Sequence, residues 1–174
     1  MKFSSQEEYG LRCLLRIARP GGKAGLTLPE ISEAERISSF YVAKLLRILR
    51  RAGLVKSARG KIGGYTLSRP PDQIAVGEAL AALGGRLFES DFCTDHTGIE
   101  ETCARSVDCS IRSLWRAVQN VVDQVLSKTT LTDLLRNEQE MSSLVSPLVQ
   151  IPGSPMKSAA GAGAIQARGS GPSD

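Results

Sequence analysis

Histidine is almost missing from this chain, with one in 174 residues. That excludes a site built on paired imidazoles. Neither a nucleophile–base constellation nor a phosphate-binding glycine motif takes its place, so no enzyme is expected. Aromatic residues are also scarce, 5% against 41% hydrophobic, which leaves aliphatic packing between helices to build any core. No apolar run approaches the ~18 residues that span a bilayer. The opening MKFSSQEEYG turns acidic where a secretory signal carries its apolar centre. A cytoplasmic chain without a membrane partner is expected. Its four cysteines stay reduced in that compartment, and three of them fall within seventeen residues. Such a cluster points to a metal or redox site more than to a disulfide framework.

One stretch lacks carboxylates altogether. Between Arg36 and Arg69 stand nine of the chain's 22 Lys and Arg residues and none of its 18 Asp and Glu residues. The formal net charge is only +4, so the positive charge is concentrated here and the remainder is net negative. That is the footprint of a polyanion-binding face.

The same stretch has a shape. Ser38 or Ser39 can cap a helix. Val42, Leu45, Leu46 and Leu49 then recur at helical spacing and leave Lys44, Arg47, Arg50 and Arg51 outward. Gly53 is a suitable stop. Residues 54–58 and 65–67 read as strands flanking the glycine-rich turn Arg59-Gly60-Lys61-Ile62-Gly63-Gly64. A helix followed by a basic hairpin is the winged helix-turn-helix arrangement. The helix suits the major groove, and Arg59 and Lys61 at the hairpin tip reach for phosphates or the minor groove. The outward, DNA-facing residues are expected to be Ser38, Ser39, Tyr41, Ala43, Lys44 and Arg47. Tyr41 fits a core or phosphate-contacting role equally well.

Upstream, residues 5–19 read as a first helix with Leu11, Leu14, Leu15 and Ala18 on its apolar face. Cys13 lies within that face as a small buried hydrophobe, and Glu7 and Glu8 suit the positive end of the helix dipole. Thr27-x-x-Glu30 resembles a capping box, with Pro29 expected at the first helical position. It opens a helix that contributes Ile31, Ala34 and Ile37 to the core. Downstream, residues 74–83 form another amphipathic helix, stopped by Gly84-Gly85. From 87 to 109 the composition turns polar and acidic, with Cys93, Cys103, Cys109 and the sole histidine, His96. Residues 110–127 restore helical periodicity: Ile111, Leu114, Trp115, Val118, Val121, Val122 and Val125 make a stripe wide enough for a dimer seam. A last helix is expected from Thr130 to about Met141.

The fold class that follows is mainly α with a small β-hairpin wing. Its organisation is a winged helix-turn-helix region over 1–86, a cysteine-containing segment over 87–109, and a dimerisation helix plus short C-terminal helix over 110–146. A Gly/Ala/Ser/Pro-rich disordered tail occupies 147–174.

Thiolates are soft ligands that choose iron–sulfur clusters or zinc. The spacing C-x9-C-x5-C lacks the paired C-x2-C of zinc ribbons, which favours a cluster. Taken together, the ISSFYVAKLLRILRRAGLV helix, the RGKIGGYTLSR wing, IAVGEALAAL and three cysteines before a helix carrying SLWR give a clear likeness. The chain resembles, over roughly 1–141, the winged-helix repressors known from the iron–sulfur regulator IscR and the nitric-oxide sensor NsrR. The resemblance implies a homodimer whose long helices cross, each cysteine loop near the partner's first helix, and binding to double-stranded promoter DNA rather than RNA. It also implies a two-iron or four-iron cluster on Cys93, Cys103 and Cys109. IscR-like members carry a histidine shortly after the third cysteine, where this chain has Arg112. NsrR-like members use a carboxylate from the partner's first helix, and Glu8 stands there. The fourth ligand is therefore expected to be Glu8 of the partner subunit, then His96, then an exchangeable water or thiol. IscR-like members also often have an acid at position 43, where Ala43 stands. A cluster-free regulator that senses redox state through its thiols, or binds another effector, is the alternative.

Overall fold

The computed structural model describes residues 4–19, 25–58, 64–86, 88 and 92–149. Helix α1 (Ser5–Ala18) starts at a capping box that the sequence reading passed over. The Ser4 hydroxyl accepts from the Glu7 amide, and the Glu7 carboxylate accepts from the Ser4 amide. Helix α2 (Leu28–Glu35) starts at the expected capping box, Thr27 and Glu30 forming the reciprocal pair, but Leu28 takes the first helical position and Pro29 the second. It ends at Arg36 in the left-handed region, φ 55°. Two residues later Ser38 caps α3 (Ser39–Arg51) by accepting from the Tyr41 amide. Gly53, at φ +73°, lets the chain reverse after α3. The Leu54 amide then donates back to the Leu49 carbonyl at 2.9 Å, the six-to-one bond of a glycine-terminated helix.

Strands β1 (Val55–Ala58) and β2 (Gly64–Leu67) pair antiparallel, Val55 opposite Leu67 and Ser57 opposite Tyr65. Leu26 adds a one-residue third strand, exchanging both backbone hydrogen bonds with Tyr65; no strand signal marks it in the sequence. After β2 come a 3-10 turn at Pro71–Gln73 and helix α4 (Val76–Leu83), then the short α5 (Phe92–Asp95) and the long α6 (Ser110–Lys128).

The single helix expected from Thr130 to Met141 is two: α7 (Leu131–Leu134) and α8 (Glu138–Val145). Thr130 caps the first through the Asp133 amide, and Asn137 caps the second through the Glu140 amide. A second capping side chain inside the run ended the first helix. Ser146–Val149 closes the described chain as a 3-10 turn. The expected disordered tail otherwise lies outside the described residues.

The core is aliphatic. Leu14, Ile31, Val42, Leu45, Leu46, Leu49, Leu54 and Ile74 are all 0% exposed, with Cys13 among them. Leu131 of α7 belongs to this core too, and a backbone bridge joins Ala75 to Thr130, so the chain returns to the N-terminal helices after α6. Ala34, expected inside, is exposed, because α2 buries only Ile31 and leaves the next residue of that face at its rim. Gly10 of α1 sits where a Cβ would meet the Leu83 side chain of α4, so glycine sets the close approach of these helices. α1 is further fixed to α2 by Arg12 and Arg16, whose Nε groups donate to the two Glu35 oxygens at 3.0 and 2.7 Å. Burial raises the Glu35 pKa, but the hydrogen bonds from Arg16 and Arg12 outweigh it and hold the carboxyl below the usual range.

Candidate nucleic-acid interface and cysteine segment

Helix α3 turns Val42, Leu45, Leu46 and Leu49 into the core. Its opposite face carries Lys44, Arg47, Arg50 and Arg51, all exposed. Among the described residues none of these four forms an ion pair. Five arginines elsewhere do have acidic partners: Arg12 and Arg16 share Glu35, Arg69 meets Glu78, Arg86 meets Asp123 and Arg136 meets Asp133. The acid-free stretch thus becomes a surface of uncompensated charge on one helix, which is the physical requirement for displacing counterions from a phosphate backbone.

The other expected reading residues are placed less simply. Ser38 and Ser39 are exposed, yet both hydroxyls already serve the turn. Ser38 caps α3, and Ser39 donates at 3.0 Å to Ser32 Oγ, which in turn donates to the Ile37 carbonyl at 2.6 Å. Tyr41 is half-buried, edge-on to the Tyr9 ring at 6.0 Å, with the Lys44 ammonium 5.6 Å over its own ring. It braces the helix and orients Lys44 by a cation–π contact. Ala43 is half-buried. Arg59 and Lys61, the expected wing-tip contacts, lie outside the described residues. The sequence reading missed Phe40, which is 85% exposed at the second position of α3. Its spacing of four and seven residues from Lys44 and Arg47 was the available signal.

The three loop cysteines are free and half-buried. Cys93, on α5, lines a cavity of about 320 Å3 with Arg86, Phe88, Arg112, Arg116, Gln119 and Asn120. Cys109 is the N-cap of α6, its Sγ accepting from the Arg112 amide at 3.3 Å. Arg112 also donates from its guanidinium to the Ser106 carbonyl at 3.1 Å, so it organises the loop where it cannot ligate metal. Cys103 lies between them, its carbonyl accepting from the Ser106 amide. His96 is exposed and stacked on Phe92 at 4.2 Å, with Nδ1 2.8 Å from the Phe92 carbonyl. That leaves Nε2 as the ring nitrogen turned to other partners. Glu8 is exposed on α1.

The donor chemistry fits an iron–sulfur cluster, since three free thiols share one segment. Their arrangement within one chain does not assemble its pocket: among the described residues no three His, Cys, Asp or Glu side chains converge on a common metal position. Cys13 belongs to neither group, because burial pushes its thiol up to about 11 and keeps it protonated.

Gln119, which the sequence reading passed over, ties this segment to α6. It is 4% exposed, accepts from the Phe88 amide at 2.8 Å, and donates to Asp123 at 2.7 Å. Asp123 in turn pairs with Arg86. The expected seam of α6 is open in the single chain. Ile111, Leu114, Trp115 and Val121 are 52%, 56%, 39% and 41% exposed, while Val118, Val122 and Val125 are half-buried.

A two-helix turn, a groove-sized helix with a free cationic face and an adjoining antiparallel hairpin define a winged helix-turn-helix protein. Residues 3–137 match the Rrf2 family, described as "Iron-dependent Transcriptional regulator", and the chain belongs to that family. It is similar to the HTH-type transcriptional regulator IscR of Sodalis glossinidius, 37% identical over 139 residues that cover 80% of this chain and 81% of that one. It is also similar to the HTH-type transcriptional regulator CymR of Bacillus subtilis, 35% identical over 134 residues, 77% and 89% of the two chains. The solved structure of CymR, "the Global Cysteine Regulator of B. subtilis", superimposes with a TM-score of 0.62 at 32% identity, covering 78% of this chain and 96% of that one. The chain is therefore a transcriptional regulator and not an enzyme. Among the described residues no helix is long and apolar enough to cross a membrane.

Proposed function

We propose that the chain binds promoter DNA as a homodimer, probing the major groove with α3, and that the state of its cysteine segment modulates this binding through an iron–sulfur cluster. The observation that carries the DNA reading is the face of α3 on which Lys44, Arg47, Arg50 and Arg51 stand exposed and, among the described residues, without ion pairs, within a stretch of sequence that holds no carboxylate. Lys44, Arg47, Arg59 and Lys61 contact DNA in this reading. Two copies joined along the open α6 stripe present their reading helices to half-sites one helical turn apart, about 34–36 Å.

Cys93, Cys103 and Cys109 would hold the cluster, with Glu8 of the partner subunit or His96 as fourth ligand. Bound there, the group supplies a centre responsive to iron supply, oxidation or nitric oxide. The chain's own residues supply the coupling. Cys109 caps α6 and Gln119 fastens Phe88 to it, so a change in the order of the segment bears on the helix that sets dimer geometry. The whole of the switch is the difference in DNA affinity between the two segment states.

A second reading drops the cluster and leaves the thiols themselves as the redox element. The failure of the three cysteines to converge within one chain favours it, as does the likeness to a cysteine regulator. Iron and acid-labile sulfide assays on anaerobically purified protein separate the two, followed by selection of duplexes from a random-sequence pool. Bound iron and sulfide in near-equal amounts, lost with the three cysteines, support the cluster. Colourless protein that selects duplexes only when its thiols are reduced, or only when oxidised, supports the second reading. Protein that retains no duplex in any state contradicts both.

A further inference from the structure

We propose that Phe40 is a specificity-determining residue that reads the 5-methyl group of thymine in the operator, with Ala43 lining the same contact. The inference rests on the duplex-binding reading above and adds the base that the first turn of α3 recognises. Phe40 is 85% exposed, in a chain with only four phenylalanines. Among the described residues it stacks on no other ring, whereas Phe88 and Phe92 pack together at 5.1 Å. A large apolar side chain left in water contributes nothing to the core, and it loses about 1.5–3 kcal/mol of possible burial.

Its position says what covers it. Phe40, Lys44, Arg47 and Arg51 follow one another at intervals of four, three and four residues, so they share one face of α3. A lone ring bordered by unpaired cations does not make the contiguous apolar patch of a protein interface. The surrounding charge selects a polyanion, and a helix of this kind enters the major groove with its N-terminal residues against base edges. Phe40 is the second residue of α3, and Ala43 lies one turn further along. Neither side chain donates or accepts a hydrogen bond. The one apolar group that a base presents in the major groove is the thymine methyl. The hydroxyls of Ser38 and Ser39 each serve the turn, so Phe40 and Ala43 add a carbon contact beside them at the helix tip.

The test uses a duplex selected by the full-length protein from a random-sequence pool, with each thymine replaced in turn by deoxyuridine. That replacement removes the methyl and keeps every hydrogen-bonding group. For wild type, one or two thymines per half-site should lose about fourfold in affinity on replacement, the ratio for burying one methylene-sized group at about 0.8 kcal/mol. Phe40→Ala should bind the thymine duplex more weakly and lose the uracil penalty at those positions. Lys44→Ala should bind more weakly and keep it. If no uracil replacement weakens wild-type binding, or if Phe40→Ala retains the full penalty, the assignment is wrong although the duplex-binding reading stands. If wild type selects no duplex, both fall together.

Discussion

The N-terminal helices and the segment running from α5 through α6 are built on opposite terms. In the first region the aliphatic residues find partners within the chain: eight side chains from α1–α3 and from the turns before β1 and before α4 are fully buried, and Arg12 and Arg16 share Glu35. In the second, four large hydrophobics of α6 stay 39–56% exposed and three free thiols sit apart. One region is completed by its own sequence. In the reading proposed above, the other is completed from outside a single chain, by a second copy along α6 and a ligand for the cysteines. A regulator needs such a division, because a rigid reading head transmits nothing unless the part attached to it has two states.

The largest contrast should come from matched leucines. Leu46→Ala in the core should cost about 3 kcal/mol in urea unfolding, at any protein concentration. Leu114→Ala on α6 should cost under about 1 kcal/mol where the chain is monomeric, yet raise the concentration at which the chain associates in sedimentation. Equal losses at all concentrations would erase the distinction. Glu35→Gln should follow at about 2 kcal/mol, since it removes the charge and one of the two oxygens that accept from arginines. The Glu35 carboxyl is held below its ordinary value of 4.5. Its contribution is therefore full above that pH and is lost as pH falls through the lower folded value. Stability of the Gln variant should be flatter over that acid window, as thermal melts against pH would register. The smallest global effect belongs to Gln119→Ala, about 1 kcal/mol. Its signature is local: faster amide exchange at Phe88 and along 92–109, with the α1–α3 core unchanged. Uniform acceleration would mean that Gln119 supports the fold rather than the coupling.

Legibility follows the same division. Elements set by local chemistry were plain in the sequence: the capping box at Thr27 and Glu30, the Ser38 cap, the glycine stop at 53, and the leucine face of α3. What depends on a distant partner was not. Leu26 looks like loop until Tyr65 pairs with it. Gln119 looks like a solvated helix residue until Phe88 and Asp123 occupy both ends of its amide. Asn137 inside a helical pattern signalled a new cap only once the chain was seen to turn there. Phe40 was passed over for a different reason. An aromatic beside a leucine-rich face is ordinarily core, and only its burial state separates that role from an outward one. For the cysteines, spacing gave the donor type, but a loop of this length holds its ligands at no fixed distance, so convergence was never in the sequence.

The central claim is that the free cationic face of α3 neutralises phosphates. It is met most directly by the salt dependence of affinity for a selected duplex, measured for wild type, Lys44→Ala, Arg47→Ala and the double variant. The slope of log K against log salt should become shallower by about one for each cation removed that contacts a phosphate, and by about two in the double variant. A double variant that keeps both wild-type affinity and wild-type slope would contradict the account.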